Sequence, residues 1–359
     1  MTPVVKEDIH NLSVEELAEY FVSIGEKPFR SVQVAEWLYQ KNVWDFDGMK
    51  NLPQALKQRL AQDFILKSNV ITTKEVSTEG TTKFLFDLED IGSPGGQREA
   101  VESVLIPTAT RTTACISTQA GCKFGCKFCA SGIGGWSRNL TCAEIITQVL
   151  HVKEEALKHK RPLSNIVFMG TGEPLDNFDN LFKAIKIINS PQCIGIGARH
   201  ITISTVGLVP KIKEIAQQNL QIELAISLHG YDNASRNVLM PVNRKYPFDE
   251  LIAACREYAR ETKRQITFEY ILIQGVTCTD NAVAALKKAF KGIICKMNLI
   301  PYNPVSEFDH KTPTKEEMTR FRDNLEREGI HATIRTPRGK DVNAACGQLR
   351  HAHQKSLSK

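Results

Sequence analysis

From about residue 111 onward the sequence alternates between short apolar runs and segments with a helical repeat of apolar residues. The runs are Ala114–Ser117, Asn165–Met169, His200–Ser204, Ile222–Leu228, Ile266–Ile273 and Lys296–Ile300. Helical patterns such as Thr141–Glu155, Asn177–Ile188 and Val209–Gln217 lie between them. Short strands this rich in apolar residues are covered on both faces, and a connection that holds a helix returns the chain parallel to the strand it left. The expected fold is therefore α/β, with six parallel strands in a sheet that is open or curled into a partial barrel. The count falls short of an eight-strand barrel, and His331–Arg335 adds one candidate strand at the edge. Ligands in such folds gather at the C-terminal ends of the strands.

The residues before 111 follow other periods. Ser13 and Glu16 make a capping-box pair ahead of Leu17, Tyr20 and Phe21, and further helical patterns run over Val32–Tyr39 and from Pro53 to Phe64. Asn69–Val76, Thr82–Leu88 and Ala100–Ile106 read instead as strands of a meander, with a Gly/Pro-rich loop at 92–96. The expected organisation is a helical module (1–70), a β-meander extension (71–110), the α/β body (111–335) and a basic tail (336–359). Eight basic and ten acidic residues leave the module at −2, so the chain's net +6 becomes +8 over the rest. At 42% hydrophobic and 24% charged residues the chain is not a disordered one. No apolar run approaches the roughly 20 residues of a membrane span. Lys6, Glu7 and Asp8 stand where a signal peptide would be apolar, so the expectation is a soluble cytoplasmic protein with no membrane partner.

Three of the ten cysteines are clustered. Cys122, Cys126 and Cys129, spaced C-x3-C-x2-C, follow the first strand of the α/β series on a glycine-containing loop. Soft thiolates in that arrangement take an iron–sulfur cluster or zinc. A structural zinc would need a fourth nearby ligand, and the next cysteine, Cys142, lies inside an expected helix. No Asp or Glu occurs between Ser103 and Ala143, whereas Arg111, Lys123, Lys127 and Arg138 do, which favours an anionic centre or polyanion nearby. An exposed basic loop would fit those charges equally well. Polar residues close the other strands: Met169-Gly170-Thr171-Gly172-Glu173-Pro174, Ser204-Thr205, Ser227-Leu228-His229 and Tyr302-Asn303-Pro304. The glycines at 170 and 172 would let backbone approach a ligand.

The cysteine spacing at this strand position resembles the radical S-adenosylmethionine (SAM) enzymes. That resemblance implies a radical SAM barrel, a [4Fe–4S] cluster on Cys122, Cys126 and Cys129, and SAM as cofactor. Glu173 and Pro174 match the element that contacts the cofactor's amino group. Ala345-Cys346-Gly347-Gln348-Leu349, Arg138-Asn139-Leu140-Thr141, Leu239-Met240-Pro241 and Val101-Glu102-Ser103-Val104 resemble signatures of the RlmN/Cfr family of RNA adenine methyltransferases. Within that family Ser204, Thr205, Ser227, Leu228, His229 and Asn303 match further cofactor contacts. Gly132 departs from the pattern, standing where Thr is common.

The resemblance also implies a mechanism. Direct polar methylation of the electron-poor C2 carbon of adenine fails, so the methyl is first loaded on Cys346. Cys346 is then linked to the base, Glu102 accepts the ring proton, and Cys115 resolves the adduct by forming a disulfide with Cys346. Two SAM molecules are consumed per turnover. The implied partners are 23S rRNA and a tRNA, an electron donor, and a reductant that reopens the disulfide, with the enzyme a monomer. The basic tail flanking Cys346 and the helical module are expected to assist RNA binding. Two alternatives stand beside this reading. One is the family's C8 methyltransferases, less favoured because Pro174 follows Glu173. The other is a non-catalytic zinc-bearing RNA-binding protein.

Overall fold

The computed structural model of the chain describes residues 6–67, 69–88, 99–133, 135–304 and 308–335. The 92–96 loop, Cys346 and the basic tail lie outside the described residues.

In the N-terminal segment β1 (Glu7–Asp8) pairs in parallel with β2 (Phe64–Ile65), bringing the segment's two ends together. Helix α1 (Val14–Ser23) starts at the expected capping box, with both reciprocal bonds of Ser13 and Glu16 formed. The expected helix at Val32 begins earlier, as α2 (Arg30–Ala35), and widens into a π turn over Glu36–Gln40 that buries Leu38 and Tyr39. Helix α3 (Gln54–Asp63) follows Pro53. This module shares one hydrophobic core with the rest of the chain. Polar ties reinforce the seam: Lys183 pairs with Glu16 at 2.8 Å, and Lys153 Nζ donates to the Tyr39 carbonyl at 2.5 Å.

Three antiparallel strands come next, β3 (Val70–Val76), β4 (Thr82–Leu88) and β5 (Glu99–Pro107), and β5 pairs antiparallel with β6 (Thr112–Cys115). The meander is therefore part of the main sheet. A small hairpin, β7 (Gln119–Gly121) with β8 (Trp136–Asn139), then brackets the cysteine loop and the short α4 (Ala130–Ile133).

The regular α/β series follows: α5 (Cys142–Lys158), β9 (Asn165–Phe168), α6 (Phe178–Asn189), β10 (Ile201–Thr205), α7 (Val209–Ala216), β11 (Glu223–Ser227), α8 (Asn233–Leu239), α9 (Phe248–Thr262), β12 (Ile266–Leu272), α10 (Asp280–Phe290), β13 (Cys295–Pro301), α11 (Lys315–Arg327) and β14 (Ala332–Ile334). The sheet order is β14-β13-β12-β11-β10-β9-β6-β5-β4-β3, and every pairing from β6 to β14 is parallel. The six expected strands are thus present, with β14 as the edge strand. β12 is buried along its whole length, as expected of a strand covered on both faces. Among the described residues no helix is long and apolar enough to cross a membrane.

Candidate active site at the C-terminal edge of the sheet

Residues directly opposite one another in a sheet share a face, as do residues two apart on a strand. Val104 lies opposite Cys115, Cys115 opposite Val167, and Val167 opposite Thr202. Ser204 follows two residues on and faces Ala225, two before Ser227. The row continues from Ser227 through Glu269 and Asn298 to Thr333. Cys115, Ser204 and Ser227 therefore share one face with Glu102, which lies two residues from Val104. The opposite face carries helix α5: there Ser103 Oγ donates to Gln148 at 2.7 Å, and Phe86 meets His151 with ring centroids 5.5 Å apart. The shared face ends at the C-terminal tips of the parallel strands, where the cysteine loop also begins.

Glu102 is not the solvent-facing residue that simple alternation on its strand would allow. It is 3% exposed, and its Oε2 lies 3.3 Å from Nζ of Lys83, itself buried. Cys115 is buried at the end of β6, and no disulfide joins any two described cysteines.

The cysteine loop is held by its backbone. Gly121, at φ +83°, opens it, and a Cβ there would fall 1.9 Å from the Gly135 carbonyl, which instead accepts from the Cys122 N–H at 3.0 Å. Lys127 N–H donates to the Leu239 carbonyl at 3.0 Å, tying the loop to the end of α8. Gly132 packs on Gly125, where a Cβ would come within 3.3 Å of its Cα. Burial pushes the Cys122 thiol up to about 12, and burial with the neighbouring Cys129 and Cys122 drives Cys126 well above the ordinary thiol range. Thiols in this state ionise by ligating a metal. Among the described residues no three His, Cys, Asp or Glu side chains converge as ligands of one ion would.

Across from the loop, Glu173 is buried. Its Oε1 accepts from Leu175 N–H at 3.1 Å and its Oε2 from Val206 N–H at 2.8 Å. Burial nevertheless raises its pKa to about 7, against those stabilising bonds. Pro174 opens a 3-10 turn that leads into α6. The Ser204 and Ser227 hydroxyls stand 3.5 Å apart, and Thr205 Oγ1 accepts from Gly207 N–H at 3.1 Å. His229 has φ +50° and is held near pKa 3 by burial and the nearby Arg236 charge. Its Nδ1 accepts from Ile271 N–H at 3.1 Å, so Nε2 carries the proton of the neutral ring. Phe128 from the cysteine loop meets that ring edge-on at 4.7 Å between centroids. Leu228 has a fully buried side chain, and its carbonyl accepts from Arg236 Nε at 3.1 Å. Asn303 is exposed on the loop after β13.

Two readings of the sequence change here. Gly170 and Gly172 do not open space for a ligand: a Cβ at Gly170 would stand 2.6 Å from Ser117 Oγ, and one at Gly172 2.5 Å from Gln119 Cβ. Their missing side chains let the end of β9 pack against the segment that leads into the cysteine loop. The acid-free stretch is also less positive than it reads, because Asp176 pairs with Lys123 and Glu144 with Arg138, both at 2.7 Å. Sequence reasoning missed Lys83, Glu269 and Arg236. Lys83 falls in the polar phase of β4, alternating with Phe84 and Phe86, so nothing in the strand's pattern signals its burial. Glu269 accepts from Asn298 Nδ2 at 2.8 Å, and Arg236 is fully buried on α8.

A sheet of this topology, with three loop cysteines at the tip of its first parallel strand, defines a protein of the radical SAM class. The family model "Radical SAM superfamily" matches residues 116–287, and "Ribosomal RNA large subunit methyltransferase N-terminal domain" matches residues 7–66. A protein of Clostridium novyi described as "Probable dual-specificity RNA methyltransferase RlmN" is 44% identical, covering 96% of this chain and 97% of its own length. A protein of Geobacillus kaustophilus with the same description is 43% identical over 97% of this chain and 93% of its own. The crystal structure of a radical SAM methyltransferase from Sphaerobacter thermophilus superposes with a TM-score of 0.89 at 39% identity, covering 95% of this chain and 98% of that one. The chain belongs to the RlmN family of radical SAM methyltransferases.

Membership implies a [4Fe–4S] cluster and SAM. The donor set fits: three half-buried thiols share one loop, with Cys129 acting on Cys122 and both acting on Cys126, and soft thiolates are the usual ligands of such a cluster.

Proposed function

We propose that this enzyme methylates C2 of an adenine in 23S rRNA and of the adenine beside the anticodon of tRNA, through S-methylated Cys346 and a covalent protein–RNA intermediate. The observation that carries the reading is the shared face of the sheet, on which Glu102, Cys115, Ser204 and Ser227 lie together beside the cysteine loop. The description of its relatives as dual-specificity RNA methyltransferases supports two RNA substrates.

Cys122, Cys126 and Cys129 would hold the cluster, while Glu173, Pro174, Ser204, Thr205, Ser227, Leu228, His229 and Asn303 would surround the cofactor. When bound, the cluster and cofactor supply the one-electron chemistry that activates an S-methyl group for bonding to carbon. Cys346 first takes the methyl by displacement at the sulfonium, its thiolate supplying the electron pair and the cofactor leaving as a thioether. Two cofactor molecules would be used per turnover, one as methyl donor to Cys346 and one for the radical chemistry. Glu102 accepts the proton from C2, its side chain held in place by the Lys83 Nζ 3.3 Å from Oε2. The Cys115 thiolate then attacks Cys346 Sγ, so that the disulfide forms as the bond from sulfur to the base's methylene carbon breaks, and that carbon takes a proton to give the methylated base. A dithiol reductant restores both thiols, and a separate low-potential donor supplies the electron. The target adenine must be unstacked to reach the strand tips. The enzyme acts as a cytoplasmic monomer.

Two measurements test this. Mass spectrometry of a Cys115→Ala variant expressed with its RNA should find S-methylated Cys346 or an RNA adduct on it; finding neither overturns the two-thiol reading. Nucleosides from modified rRNA and tRNA should contain 2-methyladenosine, and 8-methyladenosine in its place would refute the assigned position.

A further inference from the structure

Arg236 is a fully buried guanidinium, and none of its hydrogen bonds goes to a carboxylate. Nε donates to the Leu228 carbonyl at 3.1 Å and Nη2 to the Val206 carbonyl at 2.5 Å, the segments just beyond β11 and β10. Nη1 donates to Asn243 Oδ1 at 3.0 Å and Tyr246 O at 3.5 Å. Glycines make room for it: a Cβ at Gly207 would stand 3.2 Å from Nη2, and one at Gly230 2.9 Å from the Arg236 Cα. The clamp gives each guanidinium nitrogen an acceptor but leaves the charge unneutralised, and a buried charge without a counter-charge is expensive. A neutral side chain with amide donors could serve carbonyls and an amide oxygen, so the hydrogen bonds alone do not explain a cation here.

A group that can become the anion lies on the neighbouring element. The cysteine loop sits on the end of α8 through the Lys127–Leu239 bond, and the ionisable groups that act on Arg236 are Cys126 and Cys255. Cys255 lies buried in α9, with its thiol pushed up to about 12 by burial, so it stays neutral. Cys126 becomes a thiolate once it ligates metal. We infer that Arg236 is the internal counter-charge of the cluster-binding loop, a positioning residue that stabilises the thiolate-bound cluster electrostatically while fixing the loops after β10 and β11. This rests on the assignment of Cys122, Cys126 and Cys129 as cluster ligands. One-electron reduction adds a negative charge to the cluster and breaks no bond, so a nearby cation favours the reduced form.

The test compares wild type, Arg236→Lys, Arg236→Gln and Asn243→Asp after anaerobic reconstitution with ferrous iron and sulfide. It reads iron per chain and the midpoint of the cluster couple by paramagnetic resonance during dithionite titration. Asn243→Asp keeps the acceptor at Nη1 but supplies a carboxylate that neutralises Arg236, and the Asn237 amide can turn its donor toward it. Arg236→Lys should keep wild-type iron and a near-wild-type midpoint. Arg236→Gln and Asn243→Asp should both shift the midpoint to more negative potential or lose iron several-fold. Wild-type iron and midpoint in Asn243→Asp overturn the inference, as does equal iron loss in Arg236→Lys and Arg236→Gln with Asn243→Asp unaffected, the pattern of an uncharged clamp. Should Arg236→Gln fail to fold, Asn243→Asp alone decides. A wild type that binds no iron would instead refute the assignment of the cysteine loop.

Discussion

Replacing Glu173 with Gln should change how stability depends on pH, by an amount the structure fixes. Burial at 2% exposure raises its pKa from 4.5 to about 7, despite the two backbone N–H groups that donate to it. Because the folded pKa lies above the unfolded one, the native protein binds the proton more tightly. Stability is unaffected where both states are protonated, below about pH 4.5, and falls as pH rises until both are ionised, above about pH 7. A gap of about 2.5 units at roughly 1.4 kcal/mol per unit gives a cost of about 3 kcal/mol on the alkaline side. Gln carries no charge, so its own burial cost is independent of pH. Urea denaturation of wild type and Glu173→Gln at matched iron content, from about pH 4.5 to 8, should show the variant gaining about 3 kcal/mol relative to wild type. Parallel curves across that range would refute the reasoning, since they would mean that Glu173 is ionised in the folded protein throughout. The same carboxyl links to cofactor binding: if an ammonium pairs with it, SAM should bind wild type more tightly as pH rises through 7, and the Gln variant without that dependence.

Other expectations follow from single contacts. Serine at Cys122, Cys126 or Cys129 should abolish iron and acid-labile sulfide after reconstitution, measured colorimetrically against wild type, while the melting profile persists. Lys83→Met removes the buried ammonium beside Glu102 and should cost about 3 to 5 kcal/mol in urea denaturation; adding Glu102→Gln should recover much of the loss, and strictly additive effects would argue against the pair. Gly170→Ala must push Ser117 Oγ from 2.6 Å and should cost about 1 to 3 kcal/mol by the same assay.

The periodicity of the chain was enough to recover most of its architecture. Runs such as Ile266–Ile273 are apolar but for Thr267 and Glu269 because β12 is covered on both faces, and that composition survives in the sequence whatever the neighbours are. A local helix start was equally legible where a side chain caps its own backbone: Ser13 with Glu16 forms the full capping box, and α5 adds a second, Thr141 with Glu144, at the start of its helical pattern. The meander was legible as strands but not as part of the main sheet, because the pairing of β5 with β6 is a choice of partner between segments, not a property of either. The cysteine loop was legible because its three cysteines lie within eight residues of one another.

What the sequence determined by itself is therefore what short range encodes: alternation, caps and the local thiol triad. Only the tertiary structure decided which distant groups meet. It set Lys83 against Glu102, neutralised Lys123 and Arg138 with Asp176 and Glu144, and gave Gly170 and Gly172 a packing role. It also brought an Arg236 with no carboxylate partner up to the loop that carries Cys126. These pairings depend on strand register and helix docking, which fix distances between residues tens of positions apart. Burial then sets how strongly each charge acts on its neighbour, and burial exists only in the folded chain.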